Sequence, residues 1–135
     1  MPRLHVFIIL ALGLSIASLA AERAEYLDES CNARDNWDLD GPALTWGLTH
    51  LTKTAQQCCD ECKGTQNCNS WVWCPSVKCW SPDIWDHSLH ECWLKSQDDP
   101  RNPKVNFEGA YPPEFRAQHP TAPEKTQWMA GVIFK

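Results

Sequence analysis

Eight cysteines, eight tryptophans and five histidines are the residues of this chain whose chemistry stands out. Cys59-Asp-Glu-Cys62 has the CxxC spacing of a redox dithiol or of half a zinc site. It sits inside a Cys58-Cys59 doublet, near the middle of a segment that reads as helix. A reactive thiolate wants a helix start instead. Zinc could draw on Cys59, Cys62, Cys74 and Cys79, or on His87, His90 and Cys92, but these spacings are irregular for a zinc ribbon. The reading taken is a disulfide framework, with no metal and no cofactor. His5 lies in the apolar N-terminal run, and His87 and His90 read as exposed loop residues. There is no Ser in a nucleophile elbow and no Gly-rich phosphate loop, so no catalytic residue is assigned. The carboxylate pairs Asp98-Asp99 and Asp38/Asp40 read as solvated turns, with calcium binding as the sharper alternative.

The tryptophans carry more information. Trp71, Trp73 and Trp93 flank cysteines and read as core. Trp80 and Trp85 fall in Cys79-Trp-Ser-Pro-Asp-Ile-Trp-Asp-His87, a stretch rich in turn residues. An indole face stacks on the apolar face of a sugar ring, and neighbouring carboxylates bond its hydroxyls. Exposed Trp is equally an anchor for protein contacts. Trp80, Asp83, Trp85, Asp86 and His87 are therefore the candidate ligand surface, on the ground that loops carry function on rigid scaffolds.

Charge narrows the partner. With 12 Lys+Arg against 17 Asp+Glu, the net charge is -5, which argues against nucleic acid and heparin-like or anionic-membrane partners. A hydrophobic content of 43% supports a packed domain rather than disorder. Residues 1–20 (MPRLHVFIILALGLSIASLA) pair a basic start with an apolar run and small residues before a cut after Ala20. That is a signal-peptide pattern, and its apolar run falls short of the about 20 residues a spanning helix needs. The reading is a secreted, extracellular protein with no membrane span, in a compartment where cysteines pair.

Residues 21–30 read as a mobile lead and residues 31–135 as one domain. Asp40-Gly41-Pro42 marks a turn between two short extended pieces. Thr54 followed by Gln57 is a capping box, opening a helix that runs to Lys63 and ends at a left-handed Gly64. On it Cys58 and Cys62 share a face, and Cys59 points about 100° away. Residues 69–74 alternate as a strand, with Trp71 and Trp73 on one face and Ser70, Val72 and Cys74 on the other. Residues 91–95 and 127–134 read as further strands, separated by a long Pro-rich loop at about 96–126. Spacing alone leaves the cysteine pairing open, though it admits short bridges from Cys62 to Cys68 and from Cys74 to Cys79.

The run Thr54-Ala-Gln-Gln-Cys58-Cys-Asp-Glu-Cys62, then Cys68, Trp71-Val-Trp73 and Cys92-Trp-Leu-Lys95, resembles the PAN/Apple domain family. Trp37-Asp-Leu-Asp-Gly41 resembles its lead-in and Trp128-Met-Ala-Gly131 its closing strand. The resemblance implies an α+β fold, one helix packed on a curved antiparallel sheet and stapled by disulfides. It also implies the bridges Cys58–Cys92 and Cys62–Cys68. No cysteine follows Cys92, so the end-to-end bridge of many Apple domains has no counterpart. Cys31–Cys59 and Cys74–Cys79 are assigned to the cysteines left over. The family's members are mostly non-catalytic modules that bind proteins or carbohydrates, and they share no single binding site. The expectation is a secreted, non-catalytic module recognising an extracellular glycan or protein. The alternatives are a pure protein-recognition module and a small secreted enzyme or enzyme inhibitor.

Overall fold

Thr54 holds extended backbone while its Oγ1 accepts a hydrogen bond from the Gln57 amide at 3.1 Å, and the chain turns helical over Ala55–Gly64 (α1). The computed structural model describes residues 27–135. Residues 1–20, where a signal peptide is expected, and the first part of the lead lie outside the described residues. The capping box closes differently from its usual form. Gln57 Oε1 accepts from Lys53 N at 2.9 Å, one residue before the cap. Gly64 is the last helical residue and is not left-handed; that conformation falls to Asn67 at φ 67°. Thr65 explains the change, because its hydroxyl donates to Glu61 O at 2.7 Å and its amide to Cys62 O at 3.2 Å. Two terminal carbonyls are thus satisfied without a left-handed glycine.

The described residues also form nine strands: β1 (Arg34–Asp35), β2 (Trp37–Leu39), β3 (Ala43–Thr45), β4 (Ser70–Trp73), β5 (Lys78–Cys79), β6 (His87–Ser88), β7 (Cys92–Lys95), β8 (Val105–Glu108) and β9 (Met129–Val132). Five form an antiparallel sheet in the order β1-β9-β4-β7-β3. At its centre Trp71 lies opposite Leu94 and Gly131, and Val72 opposite Trp93 and Ala130. β2 and β8 make a separate ribbon with a register shift at Asp38/Leu39, and β5 and β6 a short hairpin.

Alternation along β4 builds two cores. Trp71 and Trp73 pack with Ala55, Cys58, Cys62 and Leu94 on the helix side. Val72 and Cys74 pack with Trp37, Leu39, Trp128 and Val132 on the other. Trp71 is fully buried, and its Nε1 donates to Cys31 O at 3.2 Å. Burying an apolar side chain of this size stabilises by about 3 kcal/mol. A sheet covered on both faces explains why every residue of β4 is buried.

Four bridges staple these layers: Cys31–Cys59, Cys58–Cys92, Cys62–Cys68 and Cys74–Cys79. None of the eight cysteines is free. The helix sends Cys58 to the sheet and Cys59 to the N-terminal 3-10 turn Glu29–Cys31. The end of the lead is tied to the domain, with Asp28 N donating to Gln56 Oε1 at 2.7 Å and Lys63 Nζ 3.5 Å from Asp28. The Pro-rich segment carries its own structure: β8, a short helix Pro113–Gln118 (α2), and an aromatic cluster. In it Phe107, Tyr111, Phe115 and Trp80 stack with centroids 4.9–5.8 Å apart. Among the described residues no helix is long and apolar enough to cross a membrane. The architecture is α+β, one main helix on antiparallel sheet with four disulfides, and it is PAN/Apple-like.

Candidate functional site

Where β3 ends, β7 turns its Trp93 face outward and the chain crosses from β5 to β6, a groove of about 510 Å³ opens. Its floor is Val72, Trp93 and Trp128. Trp46 stands on one side, Ser81, Pro82, Asp83 and His87 on the other, and Asp38, Lys95, Asn106 and Phe107 at one end. Trp46 is 48% exposed, and its ring lies 4.7 Å from Trp93 and 6.4 Å from Trp85, edge to face in both cases. Three indoles thus form a continuous aromatic track. Gly47 makes it possible, because a side chain there would collide with the Trp93 ring.

The polar end is unusual. Asp38 is only 8% exposed, and its carboxylate accepts a long hydrogen bond from Asn106 Nδ2 at 3.4 Å. Burial raises its pKa above the ordinary carboxylate value, with Lys95 and Asn106 pulling the other way. Lys95 donates to Leu39 O at 2.6 Å. Burial lowers its pKa, and the Asp38 and Asp40 charges oppose that. The groove therefore holds a desolvated carboxylate with spare acceptor capacity beside a fixed cation. A buried charge of this kind is costly to stability, and ligand hydrogen bonds would compensate it.

The opposite wall is rigid. His87 Nδ1 lies 2.8 Å from Glu91 Oε2 and His87 Nε2 lies 2.9 Å from Asp83 Oδ2. Glu91, almost fully buried, also accepts from Ser88 N at 2.8 Å and from Trp93 Nε1 at 3.1 Å. One carboxylate thus orients both the imidazole and the indole of the groove. Burial pushes the His87 pKa down, but the hydrogen bonds to Asp83 and Glu91 outweigh it, and the net shift is upward. Trp128 Nε1 donates to Trp80 O at 3.1 Å and to Ser81 Oγ at 3.2 Å, which fastens the start of the loop.

The five residues picked from the sequence all line a second groove of about 530 Å³. Asp83 and His87 also line the first, whereas Trp80, Trp85 and Asp86 do not. His87 is buried (6% exposed), contrary to the expectation of an exposed loop residue, because two carboxylates bracket it. Trp80 is committed to structure: its Nε1 donates to Thr121 Oγ1 at 3.1 Å, and Tyr111, Phe115 and His119 pack around its ring. Trp85 is half-exposed, and its amide donates to Asp83 Oδ1 at 2.8 Å. Asp86 is exposed.

The sequence reading missed Asp38, Trp46, Lys95 and Asn106, and it placed Trp93 in the core. In the sequence Asp38 reads only as one of a carboxylate pair. Nothing local marked Trp46, whose role depends on its distance from Trp93 across two strands. The turn reading of Asp98-Asp99 agrees with the contacts: Asp98 pairs with Lys104 at 3.4 Å and Asp99 caps the Arg101 amide at 3.0 Å. His50, Glu61 and Cys92 cluster, but the Cys92 sulfur is spent on Cys58.

The class the fold defines is a small disulfide-stapled α+β domain with an aromatic groove. The family model for the PAN domain matches residues 37–95, from the tryptophan that opens β2 to the lysine of β7. That match supports a PAN/Apple-family domain over this stretch. No curated protein and no solved structure matches it. PAN domains are protein- or carbohydrate-binding modules and are generally non-catalytic. Four disulfides fit an extracellular domain.

Proposed function

We propose that this protein is a secreted, non-catalytic module that binds a glycan in the Trp46–Trp93 groove. The observation that carries the reading is the pairing of an exposed indole track with the buried, under-bonded carboxylate of Asp38. A sugar ring lays its C–H face on Trp46 or on Trp93, and its hydroxyls donate to Asp38 and Asp83. Asn106 and Lys95 supply donors. The charged lining sets Asp38 and Asp83 against Lys95 and His87, which favours a neutral sugar over a polyanion. Trp85 and Asp83 form the rim, while Trp80 holds the loop from behind. Removal of residues 1–20 at secretion belongs to the same reading.

A glycan array and an insoluble-polysaccharide pull-down test it, using the oxidised protein beside a reduced and alkylated sample. The expected result is retention on neutral glycans by the oxidised protein alone. Retention of neither sample, with four closed disulfides verified by mass, would overturn it.

A protein partner is the second reading. It is supported by Val77, Ile84 and Trp85, three large apolar side chains 80%, 89% and 51% exposed on and beside the β5–β6 hairpin. Capture of a protein through Ile84 and Trp85, with no glycan binding, would favour it.

A further inference from the structure

We infer that a separate cleft, built by Arg34, Trp37, Arg101 and Phe134, binds the carboxylates of an acidic peptide segment. This cleft, about 270 Å³, shares no lining residue with the Trp46–Trp93 groove. Its charged lining residues are Arg34 and Arg101, both cationic, in a chain whose net charge is -5. The remaining lining is largely apolar, with Pro100, Pro103 and Val132 beside the aromatic rings.

Each guanidinium rests on a ring. Arg34 Cζ lies 4.5 Å from the Trp37 centroid and Arg101 Cζ lies 4.8 Å from that of Phe134. Stacking fixes the plane of a guanidinium and leaves its N–H edge free to bond a carboxylate in two places. Arg34 makes one competing contact, an exposed pair with Glu108 at 3.5 Å. Such a pair contributes little and exchanges readily for a ligand carboxylate. Trp37, which lines the cleft, is 2% exposed and its Nε1–H has no acceptor. An unpaired buried donor is costly, so the Trp37 ring serves the cleft as the platform under Arg34 rather than as a donor to the ligand.

The donor set selects the ligand. Arginine only donates, and Asn32 has already given its Nδ2 to Ser30 O and Val132 O. Sugar hydroxyls need acceptors as well as donors, so a polyol is poorly served here. A carboxylate on an aliphatic stem matches both the cations and the apolar walls. Phe134 and the proline rings would cover the stem of a glutamate.

Fluorescence anisotropy with a labelled oligo-glutamate peptide tests the site on the oxidised protein. Oligo-lysine, oligogalacturonate and dextran sulfate serve as comparison probes. Arg34→Gln/Arg101→Gln removes charged hydrogen bonds and should weaken oligo-glutamate binding by about tenfold or more. Arg101→Gln alone, in an exposed turn, should give a smaller loss in the same direction. Trp46→Ala should leave this binding unchanged. Added salt should weaken it. The inference is overturned if oligo-glutamate does not bind, if both arginine variants bind it as the parent does, or if oligogalacturonate or dextran sulfate displaces it more strongly than unlabelled peptide.

Discussion

The buried imidazole of His87 lies 2.9 Å from the exposed carboxylate of Asp83, across one wall of the aromatic groove. A neutral imidazole has a single N–H, so it can donate to Asp83 or to Glu91 but not to both. Only the protonated ring satisfies the two together, which is why hydrogen bonding overcomes burial and raises the pKa.

Stability should therefore depend on pH through this residue. A raised folded pKa means the stabilisation is fully present below the ordinary value of 6.5 and is lost as pH rises through the higher folded value. Thermal melts of the oxidised protein from acid to mildly alkaline pH should show the melting temperature falling over that window. His87→Gln should flatten the profile. An unchanged slope in the variant would show that other groups set it.

Asp38 works in the opposite sense. Its carboxylate is held above its ordinary pKa by burial even with Lys95 nearby, so ionisation at neutral pH costs stability. Asp38→Asn should raise the melting temperature at pH 7 and weaken glycan binding by about tenfold, the cost of a lost charged hydrogen bond. Measuring both on one preparation separates a binding residue from a structural one. A variant that is less stable and binds normally would contradict this role.

The disulfides should differ in worth. Cys58–Cys92 closes a 34-residue separation and Cys74–Cys79 one of 5. Chain entropy predicts losses of about 4 and about 2 kcal/mol on removing each pair by double alanine substitution. Denaturant titrations would report the order, and the reverse order would place the shorter bridge at the centre of the fold.

Two glycine and tryptophan variants separate positioning from contact. Gly47→Ala puts a methyl into the Trp93 ring and should abolish glycan binding while the helix-side core stays intact. Trp80→Ala should cost about 2 kcal/mol by emptying the cluster with Tyr111 and Phe115. Near-UV circular dichroism together with array binding would distinguish the two effects. Full binding by Gly47→Ala would remove Trp93 from the site.

Much of the fold was legible because it rests on local rules. Thr54 and Gln57 announce α1, alternation around Trp71 and Trp73 announces β4, and the cysteines on α1 leave the helix in the directions its periodicity dictates. The groove was less legible. Asp83 and His87 could be picked from one loop, but Trp46 meets Trp93 only once β3 pairs with β7 across a register shift. Asp38 looks like half of a solvated carboxylate pair until β8 covers β2. The burial of His87 also escaped the sequence, since it depends on Glu91 being drawn inside. The Pro-rich segment hid β8 and α2 because its aromatic residues are scattered, and they gather only around Trp80.

The most direct measurement follows the indole N–H resonances of the oxidised protein during titration with the glycan retained most strongly on the array. Binding in the groove predicts shifts at Trp46, Trp93 and Trp128, unmoved signals from Trp71 and Trp73, and loss of the response in Trp46→Ala. Shifts confined to tryptophans outside the groove, or an undiminished response in Trp46→Ala, would contradict the assignment.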